Sequence, residues 1–189
     1  MPEKIVVNPR ECALVVIDMQ KDFCYEDGAL FVGAAVKAII PRIRGLIEAA
    51  IRKKVQLIFT QDWHSQDDEE FEVWGRHCVR DTKGAEIIDE LFLKEAYAVK
   101  KQKYSAFFET DLDAHLKEKG IRRLILAGVT TNICVLHTAI DASLRGYEII
   151  VPEDCVAALS DYEQEYGLRH IKSVLKGIIT RSGNVVAFV

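Results

Sequence analysis

Apolar residues along this chain fall into two rhythms. Short, nearly unbroken apolar runs end abruptly in polar residues, the pattern of strands buried on both faces. Ala13–Ile17, Val55–Thr60, Ala96–Lys100, Arg122–Ala127, Glu148–Val151 and Ile178–Thr180 read in this way as six strands. Between them lie stretches with apolar residues at helical spacing: Ala34–Lys53, Asp111–Lys119, Asn132–Arg145 and Gln164–Leu175. Gly120, Gly146 and Gly177 stand just past three of these helices, where C-caps are expected.

Strand and helix alternate almost throughout, which predicts βαβ units. The expected fold is α/β: a three-layer, doubly wound, six-stranded parallel sheet with helices on both faces. Residues 1–189 carry no internal repeat, low-complexity tract or interdomain linker, so one domain is expected. The exception to the alternation is Gln61–Leu91, a long polar segment with one short helical piece expected near Ala85–Leu91. Loops of that length inside a domain are usually functional.

Composition narrows the range of activities. With 189 residues, of which 49% are hydrophobic, the chain can bury a full core. A net charge of −4 without any basic block argues against nucleic acid or an anionic membrane as partner. No apolar run reaches membrane-spanning length, and residues 1–10 lack the order of a signal peptide, so a cytoplasmic protein is expected. The five cysteines are widely spaced and form no CxxC pair, so reduced thiols are the simpler reading.

In open parallel sheets ligands bind at the carboxyl ends of the strands, and several of these ends carry reactive groups. The first strand runs into Asp18, a candidate acid/base, with the more exposed Asp22 as alternative. The second runs into Asp62-Trp63-His64; in extended chain the carboxylate and imidazole face one side. Trp74-Gly75-Arg76-His77 can return a second imidazole from the same loop, and two histidines with a carboxylate suit zinc, iron or manganese. The third strand ends among Lys100, Lys101 and Lys103, any one of which could reach the cleft. The fourth passes through Gly128 into a helix whose first turn holds Cys134, with Thr131 or Asn132 as candidate caps. A helix N-terminus favours thiolate over thiol.

Four segments together, Val-Val-Ile-Asp-Met-Gln-Lys-Asp-Phe (15–23), Asp-Trp-His (62–64), Lys-Gln-Lys-Tyr-Ser-Ala-Phe (101–107) and Ala-Gly-Val-Thr-Thr-Asn-Ile-Cys-Val-Leu-His-Thr-Ala (127–139), resemble the isochorismatase-like cysteine hydrolases in order and spacing. Trp74-x-x-His77-Cys78 is similar to the nicotinamidase branch. The resemblance implies a Rossmann-like α/β fold and a catalytic set of Asp18, Lys101 and Cys134. It further implies a cis peptide at Val129–Thr130 and an oxyanion hole from the backbone of Thr130 and Cys134. Phe23 and Trp74 would sandwich a pyridine ring, with Val129 also lining the substrate pocket. Asp62, His64 and His77 would hold a divalent metal, zinc before iron or manganese, with Glu70 as a further contact.

The expected reaction is hydrolysis of an amide through a thioester on Cys134, with nicotinamide giving nicotinate and ammonia. An N-carbamoyl or ureido amide handled by the same three residues is the alternative. A non-catalytic small-molecule-binding protein of this fold is the alternative from another class. Isochorismate hydrolysis is disfavoured because that branch lacks the cysteine. Family members commonly form dimers or tetramers, so a homo-oligomer is expected.

Overall fold

The structure, a computed structural model, describes residues 4–188. Its centre is a pair of parallel strands, β2 (Cys12–Ile17) and β5 (Arg123–Val129), aligned from Cys12 opposite Arg123 to Ile17 opposite Gly128. Around them the sheet runs in the order β4-β3-β2-β5-β6-β8, with β3 at Gln56–Asp62, β4 at Tyr97–Lys101, β6 at Glu148–Pro152 and β8 at Ile178–Thr180. Every pairing in it is parallel. The six expected strands are thus joined by a seventh, the two-residue β7 (Val156–Ala157), which pairs with the end of β5. A separate parallel pair, β1 (Ile5–Val7) with β9 (Val185–Phe188), was not expected; its members are too short to show a rhythm.

Alternate residues of the central strands feed two different cores, which is why both read as continuous apolar runs. Leu14 and Val16 of β2, with Ile125, Ala127 and Val129 of β5, pack against the long helix α2 (Ala35–Lys53). Ala13, Val15, Ile17, Leu124 and Leu126 face the opposite layer. That layer is built from α4 (Leu112–Glu118), α5 (Leu136–Leu144) and α6 (Asp161–Ser173). Helix α6 starts three residues earlier than expected because Ser160 accepts a hydrogen bond from the Glu163 N–H as its N-cap. Gly120 and Gly146 have the positive φ of C-caps (69° and 84°), but after α6 the left-handed position is taken by Lys176 (φ 58°) and not Gly177.

Of the short helical piece expected near 85–91, only a 3-10 turn at Lys83–Ala85 forms. This part of the long segment is held by side chains from the turn after β2 and the four-residue helix α1 (Lys21–Cys24). The Gln20 side chain bonds both the N–H and the carbonyl of Asp62 (2.8 Å each) and the carbonyl of Ala85 (2.9 Å). Lys21 pairs with Glu86 (2.8 Å) and Asp89 (2.9 Å). Asp22 accepts hydrogen bonds from the backbone N–H groups of Cys78 and Ala29, so this carboxylate ties loops together and is removed from the candidate acid/base groups. The same segment forms another short helix, α3 (Phe71–Trp74). Among the described residues no helix is long and apolar enough to cross a membrane.

Candidate active site

Four adjacent strands, β4, β3, β2 and β5, deliver their terminal residues to one edge of the sheet. Asp18 follows β2 directly, with a left-handed backbone (φ 50°) that aspartate tolerates better than most residues. Asp62 ends β3 and Lys101 ends β4. After β5 comes a cis Val129–Thr130 peptide, then a π-helical turn, Thr131–Val135, that leads into α5. Cys134 sits in that turn. Neither Thr131 nor Asn132 acts as a side-chain cap: the N-cap is Thr130, without a capping hydrogen bond, and its carbonyl accepts from Ile133 and Val135.

Asp18, Lys101 and Cys134 meet in space. The Lys101 ammonium, buried with its whole side chain, lies 2.8 Å from Asp18 Oδ2 and 3.7 Å from the Cys134 sulfur. It also bonds Asp62 Oδ1, so one cation bridges two buried carboxylates. Thr60 donates its hydroxyl proton to Asp18 Oδ1 at 2.5 Å, whereas Oδ2 makes no aligned hydrogen bond. Of Lys100, Lys101 and Lys103, only Lys101 enters the cleft; Lys100 lies over the Trp63 ring and Lys103 is half-exposed.

Burial dominates the ionisation of Asp18 and Cys134. It pushes Asp18 up to about 6 in spite of Lys101. It also pushes the Cys134 thiol well above its ordinary value, because the Lys101 charge that would lower it is opposed by Asp18 and Asp62. Desolvation and the two flanking carboxylates thus work against the thiolate that the helix end favours, while the Lys101 ammonium supports it. Asp62 goes the other way. Burial alone would raise it, but Lys101 and His64 bring it down to about 2. Lys101 stays protonated, since Asp18 and Asp62 together outweigh its desolvation.

Beside this cluster, Asp62 turns its second oxygen toward two imidazoles. Oδ2 is 3.8 Å from His64 Nε2 and 4.0 Å from His77 Nε2, and the two rings lie 4.7 Å apart. His77 is brought back by a parallel bridge between His64 and Val79. The His77 Nδ1–H donates to the Gly75 carbonyl at 2.8 Å, leaving Nε2 as the free nitrogen. His64 Nε2 is buried and has no hydrogen-bond partner. A carboxylate oxygen and two imidazole nitrogens within 4.8 Å of one another form a donor set that fits a divalent cation. Glu70 lies close by, its carboxyl raised by burial, and with Asp68 and His64 forms a second such group.

A pocket of about 430 Å³, its mouth included, opens above both clusters. Asp62, Glu70, His77, Thr130 and Cys134 line it, together with the largely apolar Phe23, Trp74, Tyr104, Val129, Ile133 and Leu159. Among the described residues, neither lysine nor arginine lines it. Four residues that sequence reading passed over support the site: Gln20, Thr60, Asp68 and Tyr104, the last accepting a hydrogen bond from the Trp74 indole at 3.0 Å. Thr60 sits two residues before Asp62 on the same strand, which gave a signal; Asp68 was indistinguishable from its acidic neighbours.

Fold and site together define a three-layer α/β protein with a thiol, a carboxylate and an ammonium gathered at the carboxyl edge of a parallel sheet. The family model for the Isochorismatase domain matches residues 12–182, and the chain belongs to the isochorismatase family of hydrolases. A nicotinamidase, PncA, from Bacillus subtilis superposes with a TM-score of 0.86 at 33% identity, over 90% of this chain and 99% of that one. An N-carbamoylsarcosine amidase from Thermoplasma acidophilum superposes with a TM-score of 0.83 at 35% identity, over 91% and 96%. A protein of Arabidopsis thaliana described as a probable inactive nicotinamidase is 34% identical over 161 residues, 79% of this chain and 82% of its own.

Proposed function

We propose that this chain is a cysteine amidohydrolase acting on a small, uncharged carboxamide, with nicotinamide as the substrate of choice. The observation that carries this reading is the junction of Asp18, Lys101 and Cys134 beneath a pocket walled by Phe23 and Trp74. Pocket charge favours a neutral substrate. Two carboxylates line the pocket, and the ammonium nearest to it is already shared between Asp18 and Asp62. A substrate bearing its own carboxylate would find no free countercharge among the lining side chains, and would depend on a cation held by Asp62, His64 and His77.

In the proposed mechanism, substrate binding brings the amide carbonyl against the Cys134 sulfur. Asp18 Oδ2, the oxygen without an aligned hydrogen bond, takes the thiol proton as the sulfur attacks, and Lys101 stabilises the sulfur's developing charge. Backbone N–H groups of Thr130 and Cys134 receive the oxyanion; each such donor is typically worth about 10²–10³ in rate. Asp18 returns the proton to the departing nitrogen, the C–N bond breaks, and ammonia leaves a thioester on Cys134. Water, deprotonated by Asp18, then attacks the thioester carbonyl, and the carboxylic acid leaves as the thiol re-forms.

Asp62, His64 and His77, with Glu70 at hand, are the residues that would hold a divalent cation. When bound, it would supply a Lewis-acid contact for a substrate heteroatom or an ordered water.

The test is ammonia release from nicotinamide beside a panel of N-carbamoyl and ureido amides, with Cys134→Ala and Cys134→Ser as controls. Turnover of nicotinamide that disappears in both variants is expected. Near wild-type turnover in either variant would overturn the mechanism. Preferential turnover of a ureido compound would move the chain to the second reading, which its similarity to the N-carbamoylsarcosine amidase favours. Tight binding without turnover would leave it a binding protein.

A further inference from the structure

His64 is completely buried, so the placement of its single proton when neutral is decided by the protein alone. Its Nδ1 lies 3.0 Å from Asp68 Oδ2. A lone pair on Nδ1 would face a carboxylate at that distance, so the proton belongs there and the lone pair falls on Nε2. Nε2 is the atom with no partner, aimed at the space that Asp62 and His77 also border. Asp68 in turn has little freedom. Its side chain is 8% exposed, and Oδ1 accepts the Glu70 N–H at 3.0 Å in a two-residue turn that leads into α3. The same carboxylate thus sets both the His64 ring and the point from which Glu70 enters the pocket.

We infer that Asp68 is a positioning residue for the cation site: it selects the His64 tautomer, aims Nε2 inward and strengthens that nitrogen as a donor. His77 receives the equivalent support at Nδ1 from a neutral carbonyl, that of Gly75, whereas the Nδ1 contact of His64 is charged. Outer contacts of this kind typically govern metal affinity by about 10–100-fold. The inference rests on reading Asp62, His64 and His77 as metal ligands.

The experiment compares the full-length wild type with Asp68→Ala, Asp68→Asn and His77→Ala. Zinc affinity is measured by competition with a chromophoric chelator, and the His64 tautomer by nitrogen-15 NMR of the metal-free proteins in mildly alkaline buffer. Wild type is expected to hold the Nδ1–H form. Asp68→Ala is expected to lose that preference and about 10–100-fold in affinity. Asp68→Asn, whose carbonyl can still accept from Nδ1–H, should keep the tautomer and lose less. Unchanged affinity and tautomer in Asp68→Ala would overturn the inference, as would lowered thermal stability with both unchanged. If His77→Ala binds zinc as well as wild type, the metal reading itself fails, and the NMR result alone then decides whether Asp68 sets the His64 ring.

Discussion

Replacing Lys101 by methionine isolates what the bridging cation does for the folded state. Methionine keeps most of the buried stem but removes the ammonium, leaving Asp18 and Asp62 side by side at 0% and 3% exposure without the cation they share. Removing one partner of a buried ion pair typically costs about 3–5 kcal/mol, because the remaining charge has lost both water and its mate. For a chain of this size each kcal/mol corresponds to about 2–4 °C in Tm, so a fall of about 6–20 °C is expected. Adding Asp18→Asn removes one of the two stranded charges and should recover part of the loss. Thermal and urea unfolding of chelator-treated wild type, the two single variants and the double variant give the coupling energy directly. A Lys101→Met variant within about 0.5 kcal/mol of wild type, or a double variant no more stable than it, would refute this account of the cluster.

Other consequences can be measured separately. Gly128→Ala should destabilise the chain by at least about 3 kcal/mol, because its φ is 119° and an added Cβ would meet the Ile17 carbonyl oxygen at 2.0 Å; urea unfolding reads this. Thr60→Val leaves Asp18 Oδ1 without its hydroxyl donor and should cost about 1–3 kcal/mol in the same assay, while Thr60→Ser should cost less. Phe23→Ala should raise KM for nicotinamide by about 2- to 12-fold, the worth of one aromatic contact, with a smaller effect on kcat. An unchanged KM would remove Phe23 from the substrate pocket.

The two central strands were legible because each is short and apolar on both faces, so Asp18 just past Ile17 could be recognised at a strand end, although β5 runs two residues beyond the expected end at Ala127. The 61–91 segment was not, because its shape is set by side chains distant in sequence. Gln20, Lys21 and Asp22 pin it at Asp62, Cys78, Ala85, Glu86 and Asp89, and no local rhythm records such bonds. Periodicity near Ala85–Leu91 therefore suggested a helix where tertiary contacts impose turns. The opposing pull on the Cys134 thiol was hidden for a related reason: a helix terminus is visible in sequence, but the burial of Cys134 and the approach of Asp18 and Asp62 are not.

The register of the sheet makes this cleft behave as a ruler. Asp18, Asp62, Lys101 and the Cys134 turn are spaced by the lengths of four neighbouring strands, in which Ile17 is level with Thr60 and Gly128, and Asp62 with Lys101. One residue inserted within any of these strands would carry its terminal group about 3.3 Å further and turn it to the opposite side of the sheet. A change in the reach of this pocket that keeps the four groups together must therefore come from the loops that carry its walls, since a change of length within these strands breaks the cluster.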